Sequence, residues 1–447
     1  MSAERSARSV SETEMVDKVR ALQRVLYRSA KQQPARRFHA LYDKVARSDI
    51  LWRAWVDVAN NQGAPGVDGV TIASIADGGV VGVRVFLDGL AQQLRDKTYR
   101  PRPLRRVHIP KPGQPGVTRP LGIPCVADRV VMTAAKLVLE PIFEADFSPV
   151  SFGFRPKRSA HQALEAIRVS ANRGADWVLD ADIKACFDEI DHDALIAQVE
   201  RRVIDGEMLK LLRCWLRAGV FEGGLVSDSE TGTPQGSPIS PLLANIALHV
   251  VDVAWAKAAN LGTLVRYADD FVVLTTSRQR AEEARRRIET TLAGLGLRLH
   301  PDKTRIVFLG GGEDGFDFLG FHHRKTPSKF GDRRYLSKWP STRAMASVRA
   351  KVRDRTDRRF ASRDLHAVIA DLNPVLRGWG AYFRYGNSNR KFAAIDSYVH
   401  ERMAKLASVK YATRYRLTAS RFNYGWLTGL GVYRLTGSVR RWSTAHA

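Results

Sequence analysis

The sequence predicts an α+β fold in which an antiparallel, ferredoxin-like sheet is followed by a region of helices alone. Residues 264–274 have the pattern of a β-hairpin, because two Val- and Leu-rich runs flank an Ala-Asp-Asp centre. Residues 177–183 predict a strand that helical stretches separate from this hairpin, which is an order typical of a ferredoxin-like sheet. From about residue 339 onward, the apolar periodicity is that of helices only.

The chain carries a large positive charge for a sequence of otherwise ordinary composition. Its 447 residues are 44% hydrophobic, which is typical of a folded protein with one or more cores. Lys and Arg number 71 against 46 Asp and Glu, which gives a formal net charge of +25. Such a surplus indicates nucleic acid as the partner.

Membrane, secretory and disulfide-rich classes are not expected. No apolar run is long enough to span a bilayer, and residues 1–11 lack the apolar core of a secretory signal. Cys125, Cys186 and Cys214 lie far apart and show no zinc-ligand spacing. We therefore expect a cytoplasmic, nucleoid-associated protein that does not bind membranes.

The N-terminal part is predicted to be mainly helical until a pair of strands begins at residue 104. Residues 11–14, Ser-Glu-Thr-Glu, have the capping-box pattern of a helix start. The glycine- and proline-rich loop over residues 63–69 interrupts the helices. The predicted helices cover residues 11–31, 36–46, 49–60, 82–95 and 127–145, and the two strands cover residues 104–110 and 116–123.

The rest of the chain is predicted from the same periodicities. Helices are expected over residues 194–201, 207–218, 241–257, 278–293, 341–356, 364–378 and 389–405. Further strands are expected over residues 297–307 and 316–322. The last region, 410–447, is basic, aromatic and glycine-rich without a strong period, so no structure is predicted for it.

Residues 152–159, Phe-Gly-Phe-Arg-Pro-Lys-Arg-Ser, interleave aromatic and basic side chains. Aromatic rings can stack on bases while cations hold phosphates, so the segment predicts contact with nucleic acid. Its candidate residues are Arg155, Lys157 and Arg158. A packed loop with solvated cations is the alternative.

Three aspartates are candidate ligands of a divalent metal. Asp182 lies on the predicted strand, on the same face as Asp180, because side chains alternate along a strand. Asp269 and Asp270 are adjacent at the hairpin turn, where their carboxylates repel each other unless a cation lies nearby. Mg²⁺ prefers such oxygen ligands together with substrate phosphates. A solvated hairpin tip is the alternative for the Asp269-Asp270 pair alone.

Nucleotidyl transfer is the reaction for which this set of acids suffices. It uses two metal ions about 3.5–4 Å apart, one at the attacking hydroxyl and one at the leaving pyrophosphate. One aspartate from a strand and one from a neighbouring hairpin are a minimal protein contribution. The predicted sheet brings its middle strands together, so both acids are expected at one edge.

Five motifs occur in the order found in reverse transcriptases, and the chain more narrowly resembles proteins encoded by bacterial group II introns. The motifs are Asp182-Ile-Lys-Ala-Cys-Phe187, Pro234-Gln-Gly-Ser-Pro238, Tyr267-Ala-Asp-Asp270, Pro301-Asp-Lys-Thr304 and Phe318-Leu-Gly-Phe321. The resemblance also includes residues 63–69, 109–111, 119–124, 152–156 and 373–383, and it extends from about residue 48 to 440.

The resemblance implies a right-hand polymerase with fingers, palm and thumb. Its expected divisions are an N-terminal basic helical extension (1–62), fingers and palm (63–325), a helical thumb or maturase domain (326–405), and a basic segment with possible DNA-binding function (406–447). Larger relatives carry a C-terminal nuclease with paired cysteines and histidines. Because Cys214 is the last cysteine of this sequence, such a nuclease is not expected.

The resemblance also implies which residues bind the metal ions. Asp182, Asp269, Asp270 and the backbone carbonyl of Ile183 would hold two Mg²⁺ ions, for which Mn²⁺ is a possible substitute. Asp180 is the rival of Asp182 on the same strand face. Asp182 is preferred because the aromatic residue of its motif follows at the family's spacing.

Four further residues would bind the incoming dNTP, and one would act on the leaving group. Lys111 and Arg119 resemble the residues that hold the triphosphate, although a mobile basic hairpin has the same composition. Phe187 would crowd a 2′-hydroxyl and select dNTPs, unless it only packs in the core. Gln235 would lie beside the nascent base pair. Lys303 would act as general acid at the pyrophosphate, with a solvated lysine as the alternative.

In the thumb, Arg377, Trp379, Tyr382 and Arg384 would contact the primer–template duplex or folded intron RNA. An A-form duplex is recognised through its backbone and shape, which suits a basic surface. The helical spacing of the two aromatic residues is equally consistent with a place in the thumb core.

These observations favour an RNA-directed DNA polymerase that copies intron RNA during retrohoming and assists splicing as a maturase. Its expected partners are group II intron RNA, an RNA template with a DNA primer, target DNA and dNTPs. A splicing-only maturase is disfavoured because the acids are intact. A domesticated relative in phage defence, a CRISPR array or DNA repair stays open.

Overall fold

The computed structural model describes residues 2–110, 116–222, 225–227, 232–233, 236–328, 331, 333–412 and 421–440. Within these ranges the helices α1 to α16 are Ser2–Gln32, Tyr42–Val45, Ser48–Asn60, Ile72–Ala76, Gly79–Arg95, Val126–Glu144, Ala160–Asn172, Cys186–Glu189, His192–Glu200, Gly206–Leu216, Ser240–Ala256, Arg278–Ala293, Thr342–Arg355, Leu365–Phe383, Asn389–Lys410 and Tyr424–Gly429. The strands β1 to β11 are Leu104–Pro110, Thr118–Ile123, Trp177–Asp182, Val220–Glu222, Leu225–Ser227, Thr263–Tyr267, Asp270–Thr275, Arg305–Phe308, Gly315–Phe318, Phe321–Pro327 and Arg334–Pro340.

The N-terminal helices form a layer around α6. Helices α1 and α3 pack against α6, whose side chains are buried along most of its length. Helix α1 starts at Ser2, upstream of the capping box predicted at residues 11–14, so that prediction is wrong about the helix start. Helices α3, α5, α6 and α12 begin and end within three residues of their predicted bounds.

Most of the predicted helix over residues 36–46 is replaced by extended backbone. Only Tyr42–Val45 is helical. The Phe38 N–H donates to the carbonyl of Arg202 (2.7 Å), and the Phe38 carbonyl accepts from the N–H of Ile204 (2.8 Å). This pairing with a segment far along the chain outweighs a local helical preference, which is weak by nature.

A basic sheet with the strand order β2-β1-β4-β5 lies beside these helices. Strands β1 and β2 pair antiparallel, as predicted, and β4 pairs with β1 in parallel. Strands β4 and β5 were not predicted from the sequence. Each has only three residues, which is too short for an alternating pattern to be recognised.

The central sheet has the order β6-β7-β3-β8, and all its neighbours pair antiparallel. With α11 before β6 and α12 after β7, it has the β-α-β-β-α-β connection of a ferredoxin-like unit. Leu179 and Val273 face one core with α11 and α12, while Val178 and Val272 face a second core. The second core also contains α7 and α13 to α15, so helices cover both faces of the sheet.

A third sheet, β11-β10-β9, connects the central sheet to the C-terminal helices. The single strand predicted over residues 316–322 is two strands, β9 and β10, which reverse direction at Leu319 and Gly320. Both turn residues have positive φ, 49° and 77°. The expected division between residues 325 and 326 falls inside β10, and of the strand predicted over residues 297–307 the structure has only β8.

The C-terminal helices α13, α14 and α15 form a bundle around the second core, and residues 421–440 pack on it. The Asp396 carboxylate accepts hydrogen bonds from the N–H groups of Leu435 and Thr436, both at 2.9 Å. Phe422, Leu427 and Leu435 are buried. This stretch of the C-terminal region is therefore part of the bundle. Among the described residues, no helix is both long and apolar enough to cross a membrane.

His323 on β10 is a fully buried imidazole within this second core. Its ring stacks on Phe316, with ring centroids 4.9 Å apart. Burial, together with the nearby Lys338, lowers the pKa of His323 to about 3. The imidazole therefore stays neutral in the folded protein at any pH near neutrality.

We expect the free energy of unfolding to decrease as the pH falls from 6.5 to 5. In this range His323 binds a proton only after unfolding, so its contribution favours the unfolded chain by roughly 1.4 kcal/mol per pH unit. Urea denaturation followed by circular dichroism measures the slope for the wild type and for His323→Gln. The variant should show a slope smaller by that amount, and equal slopes would contradict the assignment.

Candidate active site

The pairing of β3 with β7 brings two acids side by side at one edge of the central sheet. Asp182, the last residue of β3, lies directly opposite Asp270, the first residue of β7. Asp269 precedes Asp270 in the tight turn after β6. The three carboxylates therefore converge from two strands and one turn.

This convergence concentrates negative charge. Desolvation by the surrounding protein, followed by the carboxylates of Asp269 and Asp182, raises the pKa of Asp270 to about 7. Although the residue borders solvent at the sheet edge, the neighbouring groups crowd its carboxylate. Burial also raises the pKa of Asp269, with Asp182 adding to the effect. A bound cation would relieve this repulsion.

Lys303 supplies one positive charge to the cluster. Its Nζ lies 2.5 Å from Oδ2 of Asp182, and the rest of the side chain is exposed. The turn that carries it is anchored because the His300 N–H donates to the Asp182 carbonyl at 2.8 Å. Ile183 forms a bridge with Leu299 in the same place, which continues the strand beyond Asp182.

Asp180, the rival candidate, has a partner of its own. Arg305 Nε donates to its Oδ2 at 3.1 Å. Burial raises the pKa of Asp180 to about 6, although Arg305 opposes this shift. Asp180 is therefore engaged with a neighbouring strand, while Asp182 is the acid that meets Asp270.

The acids open into a cavity of about 480 Å³ between the basic sheet and the central sheet. Arg119 of β2 and Phe187 of α8 both line it, so the structure brings these two predicted residues to the acids. Lys111 and Gln235 lie outside the described residues. The remaining lining residues are Leu121, Phe154, Gly236, Ser237, Ser240, Pro241, Tyr267, Ala268, Asp269, Asp270 and Leu319.

Phe154 lines this cavity but was not singled out from the sequence. Its side chain is 54% exposed although it is a large aromatic residue, and its φ of 54° is unusual for a non-glycine residue. The ring lies 6.4 Å from that of Tyr267. The interleaved aromatic residues of the segment were a signal that could have identified it.

The donor set fits Mg²⁺ in chemistry, since it consists of carboxylate oxygens beside room for substrate phosphates. In the ranges that the structure describes, no three acidic, histidine or cysteine side chains form a ready-made metal cage. One oxygen of Asp182 is engaged by Lys303. The protein alone thus provides a partial ligand set.

Two protein-family models together match most of the chain. Residues 109–323 match the family described as reverse transcriptase (RNA-dependent DNA polymerase), and residues 345–422 match the group II intron, maturase-specific domain. The chain belongs to the group II intron reverse transcriptase/maturase family. It therefore carries an RNA-directed DNA polymerase domain followed by a maturase domain, and enzymes with this polymerase domain generally use divalent metal ions.

The chain is similar to curated relatives to different extents. Protein YkfC of Escherichia coli is 33% identical over 363 residues, which cover 72% of this chain and 93% of YkfC. The group II intron-encoded protein LtrA of Lactococcus lactis is 40% identical over 215 residues, which cover 48% of this chain and only 35% of LtrA. A Candida albicans telomerase structure aligns over 71% of this chain and 63% of its own, with 13% identity and a TM-score of 0.41.

In the reverse transcriptase domain, one predicted nucleic-acid contact is wrong. Arg155 is only 7% exposed, and its guanidinium makes a bidentate ion pair with Glu144, at 2.9 and 2.7 Å. It also donates to the carbonyls of Ser148 and Ser151. All this donor capacity is used inside the protein, so Arg155 stabilises the loop and does not face nucleic acid.

The other two basic residues of that segment differ in exposure. Lys157 is exposed. Arg158 is half-buried, and its guanidinium lies 5.6 Å from the ring centre of Phe152. Of the three predicted contacts in this segment, Lys157 is the one with a freely accessible side chain.

In the maturase domain, the two aromatic candidates, Trp379 and Tyr382, are partly buried and pack against the second core. Trp379 packs against Phe383 and Phe392, with ring centroids 4.8 and 5.5 Å apart. Tyr382 donates its hydroxyl to the carbonyl of Leu319 at 2.9 Å, which links α14 to the turn between β9 and β10. Both rings therefore contribute to packing, as the alternative interpretation expected, but they stay partly exposed, so their contact with nucleic acid remains a prediction.

The two arginines of α14 also differ. Arg377 is exposed, with its guanidinium 5.6 Å from the ring centre of Tyr433. Arg384 is half-buried and donates to the hydroxyl of Tyr385 at 2.7 Å. Its carbonyl accepts a hydrogen bond from the N–H of Arg440. Arg377 is thus the more accessible of the two cations.

We expect Arg155→Met to destabilise the protein without changing how its affinity for RNA depends on salt. The substitution leaves the half-buried Glu144 carboxylate without its partner, and because breaking a buried ion pair typically costs about 3–5 kcal/mol, the loss here should not exceed that range. Thermal unfolding and RNA binding at several salt concentrations measure the two effects. Lys157→Ala, at an exposed side chain, should show the opposite pattern. It should weaken the dependence of RNA affinity on salt concentration, with little change in melting temperature. A salt slope reduced by Arg155→Met would contradict its structural role.

Proposed function

We propose that this chain extends a DNA primer along an RNA template by metal-dependent nucleotidyl transfer. The observation that carries the proposal is the cross-strand pair of Asp182 and Asp270, joined by Asp269 at the mouth of a cavity that Arg119 and Phe187 also line. Acids and an arginine lining one cavity suit a substrate whose triphosphate needs both metal ions and positive side chains.

In this proposal the carboxylates of Asp182, Asp269 and Asp270, with the backbone carbonyl of Ile183, hold two Mg²⁺ ions, and Mn²⁺ can substitute. When bound, the two ions supply activation of the primer hydroxyl and stabilisation of the leaving pyrophosphate. The raised pKa of Asp270, about 7, supports the proposal because desolvation and the two neighbouring carboxylates both disfavour its charged form, which a bound cation would stabilise. Asp180 stays outside the ligand set, paired with Arg305.

Lys303 has a double role in the proposal. It balances the charge of Asp182 in the free protein, where the two side chains form an ion pair of 2.5 Å. With Asp182 engaged as a metal ligand, Lys303 would be free to turn to the pyrophosphate. It would then donate a proton to the bridging oxygen as the bond from that oxygen to the α-phosphorus breaks, while the primer hydroxyl gives its own proton to water and its oxygen bonds to the α-phosphorus.

Four residues select and hold the incoming nucleotide. Lys111 and Arg119 bind its triphosphate, Phe187 excludes a 2′-hydroxyl, and Gln235 contacts the nascent base pair. Arg119 and Phe187 are supported by their places in the cavity wall. Lys111 and Gln235 rest on the motifs that contain them.

The proposed right-hand arrangement assigns the central sheet with α11 and α12 to the palm. The basic sheet and the helices around α6 are the fingers, and α13 to α15 are the thumb. Residues 1–62 remain the N-terminal basic helical extension. Because β10 continues through residues 321–327, we move the limit between palm and thumb from 325/326 to the start of α13.

We further propose that the enzyme binds group II intron RNA and target DNA, both to assist splicing and to copy the intron during retrohoming. The net charge of +25 and the exposed Arg377 and Lys157 support a phosphate-binding surface. Residues 421–440 pack on the thumb core, so the proposed DNA-binding role of residues 406–447 would involve the outer surface of that bundle.

Primer extension tests the polymerase proposal. Purified protein with dNTPs and Mg²⁺ on an RNA template annealed to a DNA primer should extend the primer, and Asp269→Ala should reduce the rate by at least about 1,000-fold because a metal ligand is lost. Asp88→Ala, an exposed aspartate of α5, is the matched control and should keep the wild-type rate. A wild type that binds the duplex but extends nothing in Mg²⁺ or Mn²⁺ would refute the proposal.

Phe187→Ala tests the selection of the sugar. Removing the ring makes room for a 2′-hydroxyl, so discrimination between dNTPs and NTPs should fall by about 10- to 100-fold. Single-nucleotide incorporation gives the ratio of kcat/KM for the two substrates. Phe308→Ala, an exposed aromatic residue of β8, should leave that ratio unchanged. An unaltered ratio in Phe187→Ala would assign the ring to core packing alone.

A further inference from the structure

A buried group of three polar side chains lies directly behind the turn that carries Asp269. Arg266 is on β6, and Asp252 and Asn245 are on α11. Arg266, Asp252 and Asn245 are 0, 1 and 2% exposed, respectively. Fully buried charged residues are rare and need a reason.

All three nitrogens of the Arg266 guanidinium donate hydrogen bonds, to the other two side chains of the group and to the backbone of Ala268. Nε and Nη2 donate to the two carboxylate oxygens of Asp252, at 2.8 and 2.5 Å. Nη1 donates to Oδ1 of Asn245 at 3.1 Å and to the backbone carbonyl of Ala268 at 3.0 Å. Burial would raise the pKa of Asp252, but the adjacent guanidinium outweighs it and holds that pKa below its ordinary value.

The contact with Ala268 matters because this residue has an unfavourable backbone conformation. Its φ is 58°, in the left-handed region that an alanine rarely adopts. Such a conformation persists only where the surroundings over-determine it. Since Ala268 precedes Asp269, its backbone conformation sets the direction in which that carboxylate points.

The same group also binds a second backbone segment, at Gly153, that contacts the turn. Asn245 Nδ2 donates to the carbonyl of Gly153 at 2.9 Å. A Cβ on Gly153 would lie only 2.4 Å from the Ala268 nitrogen, so the glycine backbone touches the turn from another side. The neighbouring Phe152 N–H donates to the Arg266 carbonyl at 2.9 Å.

We propose that Arg266, Asp252 and Asn245 are a positioning network that holds the Ala268–Asp269 turn in the orientation needed for metal binding and nucleotidyl transfer. The inference rests on the proposed polymerase function. A buried ion pair adds little net stability compared with apolar residues of similar size, so stability alone does not account for it. Only arginine offers a planar fork that can bind a carboxylate and two further acceptors at once.

The first test compares the same substitution at two buried arginines. Arg266→Lys keeps a charge beside Asp252 but loses the fork, and we expect kcat for primer extension to fall about 100-fold with little change in KM for dNTP. Arg202→Lys is the matched control. Arg202 is also buried, paired with Asp146 and bonded to backbone carbonyls of residues 30–36, away from the turn. The Arg202→Lys substitution should lower the melting temperature, while kcat per folded molecule stays unchanged.

A second readout does not depend on turnover. Electron paramagnetic resonance of Mn²⁺, titrated into the protein with a chain-terminated primer on its template and the next dNTP, reports metal affinity. We expect the affinity to fall by at least about tenfold in Arg266→Lys and to be unchanged in Arg202→Lys. If the wild type binds Mn²⁺ in this complex but extends no primer, the polymerase proposal fails while the positioning network is still tested.

The paired variant Arg266→Met with Asp252→Leu separates positioning from stability. It should keep a melting temperature near that of the wild type and still lose Mn²⁺ affinity and kcat. Wild-type affinity and kcat in this variant would overturn the inference. If the paired variant does not fold, Gly153→Ala tests the inference instead, because its added Cβ would press on the backbone of the Ala268–Asp269 turn. Reduced Mn²⁺ affinity at an unchanged melting temperature supports the network, and unchanged affinity overturns it.

Discussion

The register between β3 and β7 is the constraint on which the rest of the structure depends. It sets Asp182 opposite Asp270 and gathers three carboxylates, and desolvation together with their mutual repulsion raises the pKa of Asp270 to about 7. A shift of one residue would turn one of these side chains to the opposite face of the sheet. The ion pair of Lys303 with Asp182 and the cationic wall at Arg119 are responses to the same excess of negative charge.

That register is protected because both faces of the central sheet are covered. One face packs on α11 and α12, and the other packs on α7 and the C-terminal bundle through the β9–β10–β11 sheet. Tyr382 and His323 belong to the second of these contacts, where Tyr382 is half-buried and His323 is fully buried. The polymerase and maturase domains of this chain thus share one apolar core.

Arginines show how far residue type can mislead. Arg155 and Arg266 have the chemistry of a phosphate contact, and the structure buries both as organisers of backbone carbonyls. Lys157 and Arg377, with the same charge, are exposed. Sequence reports the charge of a side chain but not the direction in which the backbone points it. The predicted nucleic-acid contact of Arg155 therefore conflicts with its burial, whereas those of Lys157 and Arg377 remain predictions at accessible side chains.

The sequence by itself determined what depends on neighbouring residues. The hairpin with its acids, the strand that carries Asp182, helix α12 and the order of the family motifs all follow from local periodicity and turn chemistry, and the family comparison agrees with those motifs. Only the tertiary structure decided what depends on distant segments. The extended backbone at Phe38, the reversal between β9 and β10, the burial of Arg155 and the strained turn at Ala268 are such features, because packing and long-range hydrogen bonds outweigh weak local preferences.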